Sequence, residues 1–458
     1  MVSAFVGLLA FYGLLYLGNT GFTSEDKLSW RWYPVELTLR YADREMAYAQ
    51  MSREFPPPLR MLIAWDYWPG AKPDDYARGA LEECASYLRA NGKLDDHPEI
   101  PLALAVLAAE HGDSEAMNDW LRRIEPSSEA HADARRIRRA YADPPRPVDE
   151  ESGEKTAEKL QGNWFYAVLM ARFAESRGDT DLAAGWRDVA SSDLDGRIHA
   201  FTALGIFSGV LLLGGWIGVW QWRGCRVPVP AAQPGWSPVA AVNIVAWGGL
   251  LGVAFAWLLW LLADGLPPLE WLGNTMTFWS FLPVLAAFYL AVCRPGNFGL
   301  IQAFGLRPSV RLLWAGLALL LINGIAQNVW FALLEWGDAL PSPVEGLGEE
   351  LIWGDTATRV LDTIDAALGA GILEELAYRG VLFLGLRQRF GFTTSALLSS
   401  TMFTLPHLQY GWAGLLSVAI FGFLMAWSVE RTRSLLPAIF THVIYNFLIS
   451  MWQWTLFT

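Results

Sequence analysis

Long apolar stretches, separated by short polar connections, occupy most of the C-terminal part of the chain. A helix that crosses a bilayer needs roughly 20 mainly apolar residues. The later stretches of about this length are residues 199–221, 238–263, 273–293, 309–334, 362–386, 393–410, 412–430 and 435–455. An earlier one, residues 2–17, has no basic start and no clear cleavage site, so we interpret it as an uncleaved anchor rather than a signal peptide. The pattern predicts about nine membrane spans.

Residues 21–195 have a different pattern, rich in charged side chains and with apolar positions at helical spacing. Gly112 and Gly178 each follow such a segment, and each is followed by an aspartate. Glycine is suited to end a helix in the left-handed conformation, and the aspartate can cap the next helix. Their separation of 66 residues is about twice the tetratricopeptide period. This region therefore resembles degenerate tetratricopeptide (TPR-like) hairpins, although any helical bundle fits equally well. Residues 143–156, proline-rich and then acidic, are predicted to form a loop.

The composition agrees with two kinds of region in one chain. Of the 458 residues, 53% are hydrophobic and 17% are charged, whereas a soluble chain carries about 25% charged residues. We predict an all-α fold, a polytopic membrane helical bundle with an inserted, all-α extramembrane domain. The predicted parts are an N-terminal anchor at residues 1–20, the extramembrane domain at 21–195, a first set of membrane helices at 196–308 and a final bundle at 309–458.

Charge limits the partners and sets the orientation. The net charge of −12 argues against nucleic acid, because phosphate backbones need a basic face. Arginines recur in every second connection between spans, and short cytoplasmic loops collect such residues. This alternation predicts a multi-pass membrane protein with the N-terminus in the cytoplasm and residues 21–195 outside. We expect the membrane to be the plasma membrane of a prokaryote.

Ionisable residues within predicted spans are candidates for function, because charge is unfavourable in hydrocarbon. Glu374, Glu375 and Arg379 lie in the sixth span. Glu375 and Arg379 are four residues apart and share a helix face, so they can form a structural ion pair. In an α-helix, Glu374 is turned about 100° from Glu375 and has no evident partner on its own helix. A lone carboxyl in apolar surroundings is suited to act as a general base, so we favour a catalytic role for Glu374.

Two further pairs lie on the later spans. Phe403 and His407 are four residues apart, and so are His442 and Asn446. A single histidine in such a position is often a satisfied core residue. Two hydrogen-bond donors stacked on one face, such as His442 and Asn446, are suited to stabilise a developing oxyanion. Three such pairs on three late spans are hard to explain by packing alone.

These motifs resemble those of a known family. Glu-Glu-x-x-x-Arg at 374–379, Phe-x-x-x-His at 403–407 and His-x-x-x-Asn at 442–446 occur in this order on late membrane helices. They are similar to the CPBP (also called ABI) family of intramembrane proteases, which includes the CAAX prenyl proteases of the Ras-converting type. Ser434-Leu435-Leu436-Pro437-Ala438-Ile439 before His442 also looks like the family. The resemblance covers roughly residues 309–458 and leaves residues 1–195 unexplained.

The resemblance implies a role for each motif. Glu374 and His407 would activate a water molecule, His442 and Asn446 would stabilise the oxyanion, and Glu375, Arg379 and Phe403 would support the site. The family has been described both as metal-dependent and as glutamic-type. Glu374, His407 and His442 are suitable zinc ligands, but no H-E-x-x-H pattern is present. We favour a mechanism without a metal cofactor.

The function that we predict is cleavage of a peptide bond in a protein substrate that has a membrane segment or a lipid. Residues 21–195 would recruit the substrate or a protein partner. The alternative is an inactive membrane scaffold whose outer helices bind protein in envelope assembly or toxin immunity. A transporter is a poorer fit, because the polar groups cluster on three late spans without a repeat between the halves.

Overall fold

All regular secondary structure in the described part of the chain is helical, which confirms the all-α class. The computed structural model describes residues 6–7, 10, 35–52, 73–126, 128–160, 162–192, 195–223, 235–265, 270–337, 339, 347–407 and 410–457. Most of the predicted span at residues 2–17 lies outside these residues. The chain divides into a polar unit, chiefly Trp32–Gly205, and a membrane unit, chiefly Ile206–Pro341 and Glu345–Thr458.

The polar unit consists of short and medium helices joined by tight turns. They are α1 Val35–Ser52, α2 Pro73–Ala90, α3 Glu99–Glu110, α4 Ser114–Arg122, α5 Ala130–Ala140, α6 Glu150–Glu158, α7 Asn163–Arg177 and α8 Thr180–Ser192. Gly112 and Gly178 follow α3 and α7 with φ of +77° and +80°. Asp113 and Asp179 then accept a hydrogen bond from a backbone N–H in the next helix, at 2.9 and 3.1 Å. The predicted helix stops and caps are confirmed, whereas the TPR-like arrangement remains a prediction.

The loop predicted at residues 143–156 is shorter than expected. Helix α6 begins at Glu150, and Asp149 is its N-cap, accepting a hydrogen bond from the backbone N–H of Ser152. Acidic residues are favourable at this end of a helix, because its first N–H groups carry partial positive charge. The acidic run therefore forms a helix start rather than a solvated loop.

Buried carboxylates connect the helices of the polar unit. Asp133 of α5 accepts hydrogen bonds from Arg136 Nη1, Thr156 Oγ1 and Lys159 Nζ, each at 2.7 Å. Asp43 of α1 accepts two backbone N–H groups at the start of α7, at 3.2 and 3.0 Å. Each carboxylate thus supplies acceptors that a neighbouring segment needs, and these bonds fix the packing of the segments.

The later helices follow the predicted spans closely. They are α9 Ile198–Arg223, α10 Pro238–Gly265, α11 Met276–Phe288, α12 Val310–Trp336, α13 Thr356–Ile364, α14 Phe392–Thr404, α15 Trp412–Thr432 and α16 Leu436–Phe457. Helix α11 ends in a π-helical turn at Tyr289–Cys293, and α14 ends in a 3₁₀ turn at Leu405–His407. Helix α13 continues as a π-helix at Asp365–Phe383 and a last α-helical turn at Leu384–Leu386.

Five helices of the described residues are long and apolar enough to cross a membrane. They are Ile198–Gln221, Pro238–Ala263, Met276–Cys293, Val310–Trp336 and Trp412–Thr432. Two of the other predicted spans are helical in their described residues but are shorter or more polar: α14 has 13 residues, and the π-helix carries Asp365, Glu374, Glu375 and Arg379. The count of nine spans remains a prediction.

The helix that carries the two glutamates differs from the predicted α-helix. Over Asp365–Phe383 it has π-helical hydrogen bonding, and at its end the N–H of Leu384 donates to the carbonyl of Arg379, five residues earlier. Side chains of three other segments donate to carbonyls of this helix: Asn446 to Ala366, Ser399 to Tyr378 and Trp236 to Val381, at 2.7, 2.8 and 2.8 Å. Because backbone acceptors in a buried helix need partners, these donors stabilise the wider turn.

Candidate active site

Glu375 and Arg379 form the buried ion pair that their spacing predicts. Both side chains are completely buried, and Arg379 Nη1 lies 3.2 Å from Glu375 Oε1. The Cζ atom of Arg379 also lies 4.0 Å from the ring centre of Phe403, which is a cation–π distance. The positive charge in this apolar region is therefore balanced by one carboxylate and one aromatic face.

His442 lies between the two glutamates. Its Nδ1 is 3.0 Å from Glu375 Oε1, and its Nε2 is 3.9 Å from Glu374 Oε2. A carboxylate only accepts hydrogen bonds, so a proton on Nδ1 donates to Glu375. This contact fixes the orientation of the imidazole and directs Nε2 towards Glu374.

Glu374 is the less constrained of the two glutamates. Its side chain is 14% exposed, whereas that of Glu375 is fully buried. Within the described residues, Glu374 Oε2 has no hydrogen-bond partner. Buried polar groups are usually hydrogen-bonded, and one that is not needs an explanation such as a catalytic role. Glu374 is therefore available to act on a water molecule or a substrate group.

The aromatic ring of Phe403 lies near both His407 and His442. Its ring centre lies 5.1 Å from that of His407 and 6.0 Å from that of His442. His407 Nδ1 lies 3.0 Å from the carbonyl oxygen of Phe403. Since a carbonyl only accepts, Nδ1 carries the proton in this contact, and in the neutral ring Nε2 is the acceptor. A histidine held in this tautomer can receive a proton on Nε2.

Asn446 is placed one turn beyond His442 on α16, as predicted, but its amide is engaged. Its Nδ2 donates to the carbonyl of Ala366 at 2.7 Å. His442 and Asn446 thus both contact the π-helix, at Glu375 and at Ala366. An amide nitrogen has two N–H donors, so one remains for another acceptor.

A glycine allows α16 and the π-helix to approach this closely. A Cβ on Gly371 would lie 2.8 Å from Val443 N and 2.9 Å from Val443 Cα. These distances are shorter than real Cβ atoms tolerate, so the helices are in backbone contact beside His442. Sequence reasoning did not single out Gly371, because its role depends on a neighbour 72 positions away.

Asp365 is a buried carboxylate that the sequence interpretation also missed. It begins the π-helix and accepts the backbone N–H groups of Thr277 and Phe278, at 2.9 and 3.2 Å. It therefore caps α11 from another helix. The sequence feature that could have indicated this carboxylate is an acidic residue within a predicted span, nine positions before Glu374.

The alternative zinc ligands, Glu374, His407 and His442, are not found as a metal-binding group in the described part of the chain. Within the described ranges, no three His, Cys, Asp or Glu side chains are grouped so that they could hold a metal ion. Glu374 is close to His442, and His407 and His442 both lie near the ring of Phe403. No step of the proposed reaction is assigned to a metal.

Comparison with known families identifies part of the membrane unit. Residues 355–448, which include all three motifs, match the family model for Type II CAAX prenyl endopeptidases, Rce1-like. Over this segment the chain is similar to prenyl endopeptidases of that family. The resemblance to the CPBP and CAAX protease family is thereby confirmed, over a narrower segment than residues 309–458. No curated protein and no solved structure matches the chain.

Proposed function

We propose that the chain is an intramembrane endopeptidase that cuts a membrane-embedded or lipid-modified protein. The observation that supports this most directly is the placement of Glu374. Its Oε2 lies 3.9 Å from His442 Nε2 and has no hydrogen-bond partner among the described residues. This occurs in the segment that matches a peptidase family.

In the proposed reaction, Glu374 and His407 activate the attacking water. Glu374 accepts the proton of the water as it attacks the scissile carbonyl. His407, with Nδ1 held by the Phe403 carbonyl, offers Nε2 as a second acceptor. The nitrogen of the leaving amine then takes up a proton from one of these groups, and the peptide bond breaks.

His442 and Asn446 are proposed to stabilise the tetrahedral oxyanion. A donor to the oxyanion must carry a proton on the nitrogen that faces it. For His442 this is Nε2, while Nδ1 donates to Glu375. The role therefore requires the imidazolium form, in which both ring nitrogens carry a proton. Asn446 would use the N–H that is not donated to Ala366.

The surroundings of the site complete the proposal. Glu375 and Arg379 orient His442, and the ring of Phe403 packs against the guanidinium and lies near both histidines. We propose that catalysis needs no metal cofactor. We further propose a prokaryotic plasma-membrane location, nine spans, and residues 21–195 on the outer side as a TPR-like module that recruits substrate or a protein partner.

Mapping of protein termini in membranes tests this function. The full chain and its Glu374→Ala variant are expressed separately, and new N- and C-termini of membrane proteins are identified by mass spectrometry. We expect termini within or beside membrane segments with the wild type and not with Glu374→Ala. Glu335→Ala, at an exposed glutamate near the end of α12, is the control and should form all the products.

The test also separates the candidate functions. A product set that is the same for the wild type and Glu374→Ala would contradict the peptidase proposal. It would favour the alternative, an inactive membrane scaffold. A quenched peptide with a farnesylated cysteine, compared with the same peptide without the lipid, reports whether the lipid is recognised. Cleavage of both peptides at equal rates would limit the substrate to membrane segments.

A further inference from the structure

We propose that Gly422 of α15 is a positioning residue of this site, because it provides the space in which the guanidinium of Arg379 is held. This inference rests on the proposed peptidase function. It assigns a role to a residue outside the three motifs, on a helix that carries no motif residue.

Directional hydrogen bonds do not hold Arg379 in place. Its side chain is completely buried, yet Nε, Nη1 and Nη2 have no hydrogen-bond partner within the described residues. The guanidinium instead has two neighbours of another kind: the charge of Glu375 at 3.2 Å and the ring face of Phe403 at 4.0 Å. Neither interaction is strongly directional, so packing determines where the group lies.

Gly422 borders the space that the guanidinium of Arg379 occupies. A Cβ at position 422 would lie 2.9 Å from Arg379 Nη2, 3.2 Å from Phe403 Cδ1 and 3.2 Å from Ser400 Cβ. All three distances are tighter than ordinary contact. The guanidinium is the end of a flexible side chain, whereas Phe403 and Ser400 are fixed on α14. We therefore expect an alanine at position 422 to displace the guanidinium more than the helices.

A movement of the guanidinium affects the proposed catalytic groups because Glu375 contacts both Arg379 and His442. Glu375 Oε1 is shared between Arg379 Nη1, at 3.2 Å, and His442 Nδ1, at 3.0 Å. If Arg379 moves, the carboxylate of Glu375 either loses its counter-charge or moves together with Arg379. Both changes alter the orientation of His442 relative to Glu374. Gly422 thus acts on the reaction through Arg379 and Glu375 and touches no substrate.

The experiment measures the rate of Glu374-dependent terminus formation in isolated membranes. We expect Gly422→Ala to lower this rate by up to about 100-fold, the loss typical of a misplacement of about 1 Å at a catalytic group. We also expect the pH profile of the remaining activity to change shape, since the charge next to Glu375 has moved. Gly391→Ala is the control, because a Cβ there meets nothing within 4 Å, and it should keep the wild-type rate.

A double-mutant cycle separates positioning from general damage. Lysine at position 379 lacks the Nη2 atom that a Cβ at position 422 would meet. Gly422→Ala should therefore change the rate by less than about twofold in the Arg379→Lys background. The same fold loss in both backgrounds, or no loss in either, would overturn the inference.

A second readout does not depend on activity. If wild-type membranes form no more product than Glu374→Ala membranes, the peptidase proposal fails and the inference is judged from thermal unfolding in detergent. Gly422→Ala should then lower the Tm of the wild type but not that of Arg379→Lys. An equal decrease in both would show that Gly422 has no specific relation to Arg379.

Discussion

Asp133 in the polar unit and Glu375 in the membrane unit are both almost fully buried carboxylates, yet their partners differ. Asp133 is 1% exposed, and its two oxygens receive hydrogen bonds from three side chains at 2.7 Å. Glu375 is fully buried, with one oxygen next to His442 and Arg379 and the other without a partner in the described part of the chain.

This difference separates a structural cluster from a candidate reactive one. A buried network in which every acceptor is used rigidifies a fold, whereas an incompletely paired one is unfavourable for stability. Around Glu375, the oxygen of Glu374 and all nitrogens of Arg379 also lack hydrogen-bond partners among the described residues. Within this cluster, Glu374 is 14% exposed and is the carboxylate that a substrate can reach.

The largest expected effect separates activity from stability at Glu374. We expect Glu374→Ala to reduce cleavage about a thousandfold, within the range for loss of a general base. The Tm in detergent should not fall, because Glu374 Oε2 accepts no hydrogen bond from the described residues and removing a partly desolvated charge is favourable. A Tm lower by several degrees would indicate that Glu374 stabilises the fold, as Asp133 does.

The converse is expected for Asp133. Asp133→Ala leaves Arg136, Thr156 and Lys159 without their shared acceptor. We expect unfolding of the polar unit to become easier by about 3 kcal/mol, or roughly 5–10 °C in Tm. Asp119→Ala, at an aspartate that is 47% exposed, is the control. Thermal unfolding of the full chain measures the effect, and an unchanged Tm would remove the contrast between the two clusters.

Asn446 tests whether one side chain has both kinds of role. Asn446→Ala removes the donor to the Ala366 carbonyl and the proposed oxyanion contact. We expect about a hundredfold slower cleavage, as for the loss of one oxyanion donor. Asn328→Ala is the matched control, because Asn328 Nδ2 donates to a carbonyl of its own helix at 2.8 Å. Equal rates for the two variants would restrict Asn446 to a helix contact.

The smallest effect concerns pH and the polar unit. Burial lowers the pKa of His111, but its hydrogen bonds to the Leu107 carbonyl and to Asp74 outweigh burial and raise the pKa above its ordinary value. The interaction with Asp74 therefore stabilises the folded state fully below the ordinary pKa and is lost as pH rises through the raised one.

We expect the Tm of the polar unit to decrease as pH rises from the ordinary pKa of histidine, about 6.5, through the raised pKa of His111, and to decrease less in His111→Gln. The variant cannot gain the charge that pairs with Asp74, so its pH dependence isolates this interaction. Identical pH dependence of Tm in both proteins would contradict the assignment.

The sequence predicts the parts of this molecule that depend on local spacing. Apolar runs locate the later helices, the spacing of Glu375 and Arg379 predicts their ion pair, and Gly112 and Gly178 mark helix stops. These features depend on neighbours within a few positions, so one segment contains the necessary information.

Other features depend on contacts between distant segments. The π-helix at Asp365–Phe383 is stabilised by donors from three other segments, and Asp365 caps α11 from a distance. The space for Arg379 exists only because Gly422 is a glycine. No periodicity in the sequence indicates these pairings, which appear only when the helices are packed.

The backbone contact between Gly371 and Val443 limits the route by which a substrate can reach Glu374. The two helices leave no room for a side chain between them at this level, and Asn446 bridges them again at Ala366. A polypeptide segment cannot pass through that seam while both contacts persist. A membrane-embedded substrate must therefore approach the glutamate through a different gap between helices, and cross-linking probes should be placed around the remainder of the bundle.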